Sequence, residues 1–140
     1  MKELWSRMLF NILVGNTDDH ARNHACFWDG KHIRLTPAYD IDPRPRLGRV
    51  ANQAMAVGQN DRRALIASAL DTAGAFGLRQ DKAVAIARSQ LEMIHANFRR
   101  QAAAAEMDAA EQDKLAGRAF LNPYIFEGAP PELAELEAPL

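Results

Sequence analysis

Apolar residues recur at positions 4, 5, 8, 9, 12 and 13, the spacing of one helix face, and Gly15 follows as a natural stop. The pattern predicts an amphipathic helix across "ELWSRMLFNILVG". Immediately after it, "NTDDHARN" (residues 16 to 23) is a run of short polar side chains that predicts a loop. "HACFWDGKHIRL" then sets two short aromatic and β-branched runs on either side of Asp29-Gly30, a strong signal for a two-residue hairpin. In that register Trp28 lies opposite Lys31, Cys26 opposite Ile33 and Asn23 opposite Thr36, while Cys26, Phe27 and Trp28 read as core.

Pro37, Pro43 and Pro45 bar regular structure across "TPAYDIDPRPR", and residues 50 to 60 read as a loop or short strand ending near Gly58. Helical patterns then resume. Asn60 or Asp61 is placed to cap a helix over roughly 62 to 76, closed by Gly77. Asp81 is placed to cap a longer helix whose Val84, Ala87, Leu91, Ile94 and Phe98 form one apolar stripe, with His95 beside it as a structural residue. Asp108 and Glu111 match a capping box for a third helix near 109 to 120. The tail "EGAPPELAELEAPL" is acidic and proline-bearing, and its end is expected to be loose.

At 140 residues the chain suits a single domain, and 48% apolar with 25% charged residues is a globular mixture. A net charge of -1 makes no electrostatic case for nucleic acid or anionic membrane as a partner. The lone Cys26 rules out an internal disulfide and fits a reducing compartment. No apolar run reaches the length of a membrane span, and "MKELWSR" lacks the shape of a signal peptide, so the expected location is cytoplasmic.

The hairpin gives the polar cluster a chemical reading. Asp40 follows Thr36 by four residues and so stays within about 13 Å of the hairpin mouth even when fully extended. Asp18, Asn23 and Asp40 can therefore converge. Two carboxylates and an amide oxygen are hard ligands suited to Mg²⁺, whereas His20 and His24 leave a zinc reading open. Asp18 and Asn23 have the five-residue separation of the protein-kinase catalytic loop H-R-D-x-x-x-x-N, in which the aspartate takes the hydroxyl proton and the asparagine holds metal. Asp40, in "YDI" beyond the hairpin, stands where the metal-binding D-F-G aspartate would stand. The D-x-H-x-x-N form of Asp18, His20 and Asn23 also resembles the loop of phosphoinositide-type lipid kinases.

An ordinary polar loop is the simpler account of these residues, but it requires both motifs to be accidental. Asp19 reads as a solvated or helix-capping carboxylate and His24 as a partly buried structural histidine. Arg44, Arg46 and Arg49 fit either a solvated loop or a phosphate or nucleic-acid contact, and the sequence leaves their role open.

"FNILVGNTDDHARNH" followed by "RLTPAYDIDP" resembles the C-terminal lobe of HipA-type serine/threonine kinases, the toxins of bacterial toxin–antitoxin pairs. The resemblance implies a mainly α, protein-kinase-like C-terminal lobe over residues 1–122, in which a small β-hairpin carries the catalytic and metal-binding loops. Residues 123–140 would be an extension with a partly disordered tail. It implies ATP and Mg²⁺ as cofactors, Asp18 as catalytic base, His20 in support of the catalytic loop, and Asn23 and Asp40 as metal ligands. Arg22, where relatives commonly have lysine, would neutralise phosphate charge. Its implied partners are an antitoxin-like protein and a protein substrate such as a translation factor or tRNA synthetase. The 140 residues contain no glycine-rich phosphate loop, and Lys2 is the only lysine ahead of the motif. A missing or separate N-terminal lobe is therefore a further expected partner, and the chain by itself is expected to be inactive. Two rival readings stand beside this one: a non-catalytic remnant that binds an antitoxin or an N-lobe, and a small metal-dependent phosphoesterase that recruits His20 and His24.

Overall fold

The computed structural model describes residues 1–46, 48 and 50–140. It is mainly helical, with one small antiparallel sheet. Helix α1 (Lys2–Leu13) follows the apolar spacing and buries Trp5, Leu9, Ile12 and Leu13. It packs against α2 (Ile66–Asp71) and α3 (Gln80–Ala104), and the Trp5 indole donates to Ala69 O at 2.9 Å. The α3 stripe is Ala83, Ala87, Leu91, Ile94, Phe98 and Ala102, with Val84 only half-buried beside it. Each fully buried leucine or isoleucine here contributes roughly 1.5–3 kcal/mol, and their concentration on three helices makes one core.

Several boundaries differ from the sequence expectation. The helix expected from 62 begins at Ile66, because residues 62–64 pair with residues 51–53 instead. Gln53 N donates to Arg62 O at 2.6 Å and Ala64 N to Ala51 O at 2.9 Å. Asp61 accordingly caps no helix; it accepts from Arg63 N at 2.9 Å and from Ser68 Oγ at 2.6 Å. A 3-10 turn over Ala73–Phe76 then runs to Gly77, at φ 73°, the stop that was expected. Asp81 lies in the first turn of α3 rather than at its cap, and bonds Arg79 at 2.7 Å.

The capping box forms as expected at α4 (Ala109–Leu115), where Asp108 and Glu111 exchange side-chain bonds with each other's backbone N–H at 2.8 and 2.9 Å. The helix ends at Leu115 rather than near 120. The chain turns at Gly117, φ 68°, and Leu121 N reaches back to Leu13 O at 2.8 Å. The tail contacts α3. Tyr124, Ile125 and Phe126 are buried in a 3-10 turn over Pro123–Phe126, and α5 (Pro131–Ala134) buries Leu133. Arg88 donates to Glu132 O at 2.6 Å, Arg99 to Leu140 O at 2.8 Å, and the His95 ring lies 2.9 Å from Leu136 O.

The hairpin is present, but in another register. Strands β1 (Cys26–Trp28) and β2 (Ile33–Leu35) pair Cys26 with Leu35, Phe27 with Arg34 and Trp28 with Ile33. Asp29 Oδ1 accepts from Lys31 N at 2.9 Å and His32 N at 2.7 Å, so the loop takes four residues instead of two. A two-residue shift keeps every side chain on its expected face. Thr36 consequently meets Ala25 (N to O 2.9 Å) rather than Asn23. The core assignment of this segment fails: Cys26 is exposed, and Phe27 and Trp28 are 61% and 63% exposed. Among the described residues no helix is long and apolar enough to cross a membrane.

Candidate functional site

The polar motif starts from a fixed point. Gly15 leaves α1 at φ +72°, and a Cβ there would stand 2.7 Å from Ala119 O, so only glycine fits both the conformation and the approach. Gly15 O lies 3.4 Å from Arg44 N, and Thr17 O accepts from Ala54 N at 2.9 Å. Asn16 is almost fully buried; its Nδ2 donates to Asn11 Oδ1 at 3.1 Å and reaches Asp40 O at 3.4 Å. These contacts lay the segment around Asp40 alongside the segment around Asp18.

Three of the expected site residues are linked directly. A 3-10 turn over Ala21–Asn23 brings Asn23 Oδ1 to the backbone N–H of His20, at 3.1 Å. Asn23 Nδ2 donates to Asp40 Oδ2. Asp18 is tied in through His20, whose Nε2 lies 2.8 Å from Asp18 Oδ1. Tyr39 adds a brace by donating its hydroxyl to Arg22 O at 2.6 Å. Asp40 itself has φ 56°, the left-handed region that aspartate tolerates better than most residues. Arg22 is exposed.

Asp19 departs from expectation. It is 4% exposed rather than solvated, and its Oδ1 lies 2.8 Å from His24 Nε2. His24 is half-buried, as the sequence implied. The two pairings, Asp18 with His20 and Asp19 with His24, share neither carboxylate nor ring. Among the described residues no three His, Cys, Asp or Glu side chains come together in a metal-holding group.

A site for Mg²⁺ would therefore rest on Asn23 and Asp40, and the donors present fit that ion. After accepting the His20 N–H, the Asn23 amide oxygen keeps a second lone pair, and Asp40 is exposed with its other carboxylate oxygen free of the Asn23 bond. Hard oxygens in small number, completed by water and phosphate oxygens, are the usual Mg²⁺ environment. The local field is mixed. Arg44, exposed, is held above the usual arginine range first by its hydrogen bond to Asp42, with smaller contributions from the charges of Asp18 and Asp40. Its guanidinium is thus near enough to feel both carboxylates.

Asn11, Asn16 and Tyr39 position the site and were not singled out in the sequence. Asn11 did leave a signal: a polar residue between Phe10 and Ile12 on a helix end that is otherwise buried. Asn16 and Tyr39 left none, because their partners lie on a segment whose path is set only in three dimensions.

No curated protein and no solved structure matches the chain. The family model described as HipA-like C-terminal domain matches residues 1–98, which include the whole of the Asp18, Asn23 and Asp40 arrangement. The chain belongs to the HipA-like C-terminal domain family.

Proposed function

We propose that the chain is the catalytic-loop portion of a HipA-like serine/threonine protein kinase, with a kinase-like C-lobe fold. The observation that carries this reading is the bond from Asn23 to Asp40, which unites the two halves of a kinase-type motif. Asp18 is the catalytic base. It takes the proton of the acceptor hydroxyl as that oxygen attacks the γ-phosphorus of ATP, and the bond from that phosphorus to the bridging oxygen of ADP breaks. His20, 2.8 Å from Asp18, holds the carboxylate in place for this transfer. Asn23 and Asp40 hold Mg²⁺, which when bound offsets the negative charge of the phosphates. Arg22, exposed beside them, adds positive charge from the protein. The acceptor is a protein hydroxyl, on a translation factor or tRNA synthetase, and an antitoxin-like protein restrains the activity in the cytoplasm.

The phosphate grip comes from outside these 140 residues, from a neighbouring segment or a separate N-lobe. Trp28 and Ile33, paired on one face of the hairpin at 63% and 70% exposure, offer an apolar surface for that partner, and Phe27 stands 61% exposed on the other face. The same surface supports the second reading, a non-catalytic module that docks an antitoxin or an N-lobe. The phosphoesterase reading has less support, since His20 and His24 are engaged by different carboxylates.

The test is transfer from γ-labelled ATP in the presence of an N-lobe, comparing the natural chain with Asp18→Asn. Loss of label incorporation by two or more orders of magnitude is expected. Incorporation unchanged in Asp18→Asn would end the assignment. Complex formation without any incorporation by the natural chain would establish the docking module instead.

A further inference from the structure

Of the three arginines that follow Asp40, Arg44 is exposed and bonded to Asp42 at 2.7 Å, and Arg49 lies outside the described residues. Arg46 is different. Its Nε, Nη1 and Nη2 are all shielded from solvent, and none has a hydrogen-bond partner. Burial pushes its guanidinium below the usual arginine range, and among the described residues no carboxylate acts against that shift. A cation in this state is costly, because desolvation is repaid only by a counter-ion or by hydrogen bonds.

The surroundings specify what would repay it. Arg46 forms part of the wall of a cavity of about 440 Å³ that Arg118, Asn122 and Tyr124 also line, and among the described residues no acidic one lines it. Arg46 N donates to Arg118 O at 3.1 Å, so the backbones of the two residues are joined at the cavity wall. Asn122 Oδ1 accepts from Tyr124 N at 3.1 Å, which fixes the amide at the cavity wall, and its Nδ2 makes only a 3.4 Å contact to Arg118 O. A cavity wall that includes two arginines, an asparagine and a tyrosine has the basic, hydrogen-bonding character that suits an oxyanion. The planar guanidinium fork matches the tetrahedral oxygens of phosphate in particular.

We propose that this pocket binds a phosphate-class oxyanion, either free phosphate or the monoester on a phosphorylated serine or threonine. A small rotation of the Arg46 side chain turns its fork into the cavity, and the anion supplies the counter-charge. The inference does not depend on the kinase assignment, and the assay keeps the two apart by working with EDTA and without nucleotide.

The 140-residue chain is titrated at constant ionic strength with inorganic phosphate and, separately, with a phosphoserine peptide. Binding is read by calorimetry and by melting temperature, since a ligand of the native state raises the latter. Saturable binding is expected, at least tenfold weaker in Arg46→Gln and partly restored in Arg46→Lys, while the distant Arg100→Gln binds as the natural chain does. Tighter binding of the peptide than of phosphate identifies a phosphorylated side chain as the source; equal or weaker binding identifies the free ion. Removing an unpaired buried charge should leave Arg46→Gln at least as heat-stable as the natural chain without phosphate. Unchanged phosphate affinity in Arg46→Gln overturns the proposal. So does a natural chain that responds to neither probe, and a lower melting point of Arg46→Gln would then mark the arginine as a packing residue.

Discussion

Asn23 donates from its side-chain amide to the carboxylate of Asp40, seventeen residues further along the chain. The bond is made from an unusual backbone, since Asp40 has a φ of 56°. Left-handed conformation costs L-residues roughly 1–2 kcal/mol, less for aspartate. Conformation and chemistry at this position are therefore separable. Both Asp40→Gly and Asp40→Ala forfeit the Asn23 bond, but only alanine keeps the left-handed strain, so Asp40→Gly should be the more stable of the two by about 1 kcal/mol. Both should lose Mg²⁺-dependent nucleotide binding in the presence of an N-lobe. Urea unfolding gives the first quantity and calorimetry the second; retention of that binding in Asp40→Gly would remove Asp40 from the metal site.

Asp18 and Asp19 are adjacent in sequence and opposite in environment. Asp18 is half-exposed beside His20, whereas Asp19 is buried against His24, whose Nδ1 has no other partner. Asp19→Ala would leave that ring without a bond on either nitrogen and should cost roughly 2–4 kcal/mol of stability. Asp18→Asn should change stability by less than about 0.5 kcal/mol while abolishing phosphoryl transfer. Denaturant midpoints for the two variants, set beside their transfer rates, test whether stability and chemistry divide between the two residues in this way.

Gly15 is held by two constraints at once, its left-handed φ of +72° and the carbonyl of Ala119 that a Cβ would meet at 2.7 Å. Neither neighbour is a flexible side chain that could swing aside. Gly15→Ala should lose roughly 2–4 kcal/mol. Because Gly15 O also meets Arg44 N, crosslinking or exchange at residues 40–44 should report a loosened second motif in the same variant. A variant as stable as the natural chain would mean that this junction readily rearranges.

Asp61 holds the residues that displace the start of α2. Its side-chain bond with Arg63, followed by that with Ser68, holds its carboxyl well below the usual aspartate range. A depressed folded value means that the stabilisation is present above the unfolded pKa, near about 3.9, and is lost as pH falls toward the folded one. Asp61→Asn should therefore be less stable than the natural chain at neutral pH, with the difference shrinking below about pH 4. Chemical denaturation at a series of acid pH values measures this; a difference independent of pH would point to packing rather than charge.

The residues of the candidate site were legible because their chemistry is carried by spacing. Asp18 and Asn23 are bound into one short turn, and a hairpin of almost any loop length returns Asp40 to its neighbourhood. Helices α1 and α3 and the Asp108–Glu111 box were legible for a related reason: periodicity and capping act within a few residues of themselves. What tertiary structure decided was everything that depends on a distant partner. The start of α2 was settled by residues 51–53 pairing with residues 62–64, and the seating of the tail by Arg88, His95 and Arg99 on α3. The exposure of Phe27 and Trp28 belongs here as well, since an apolar strand reads as core until the fold leaves both of its faces uncovered. Local signals compete with long-range contacts worth several kcal/mol, and those contacts exist only once the chain has folded.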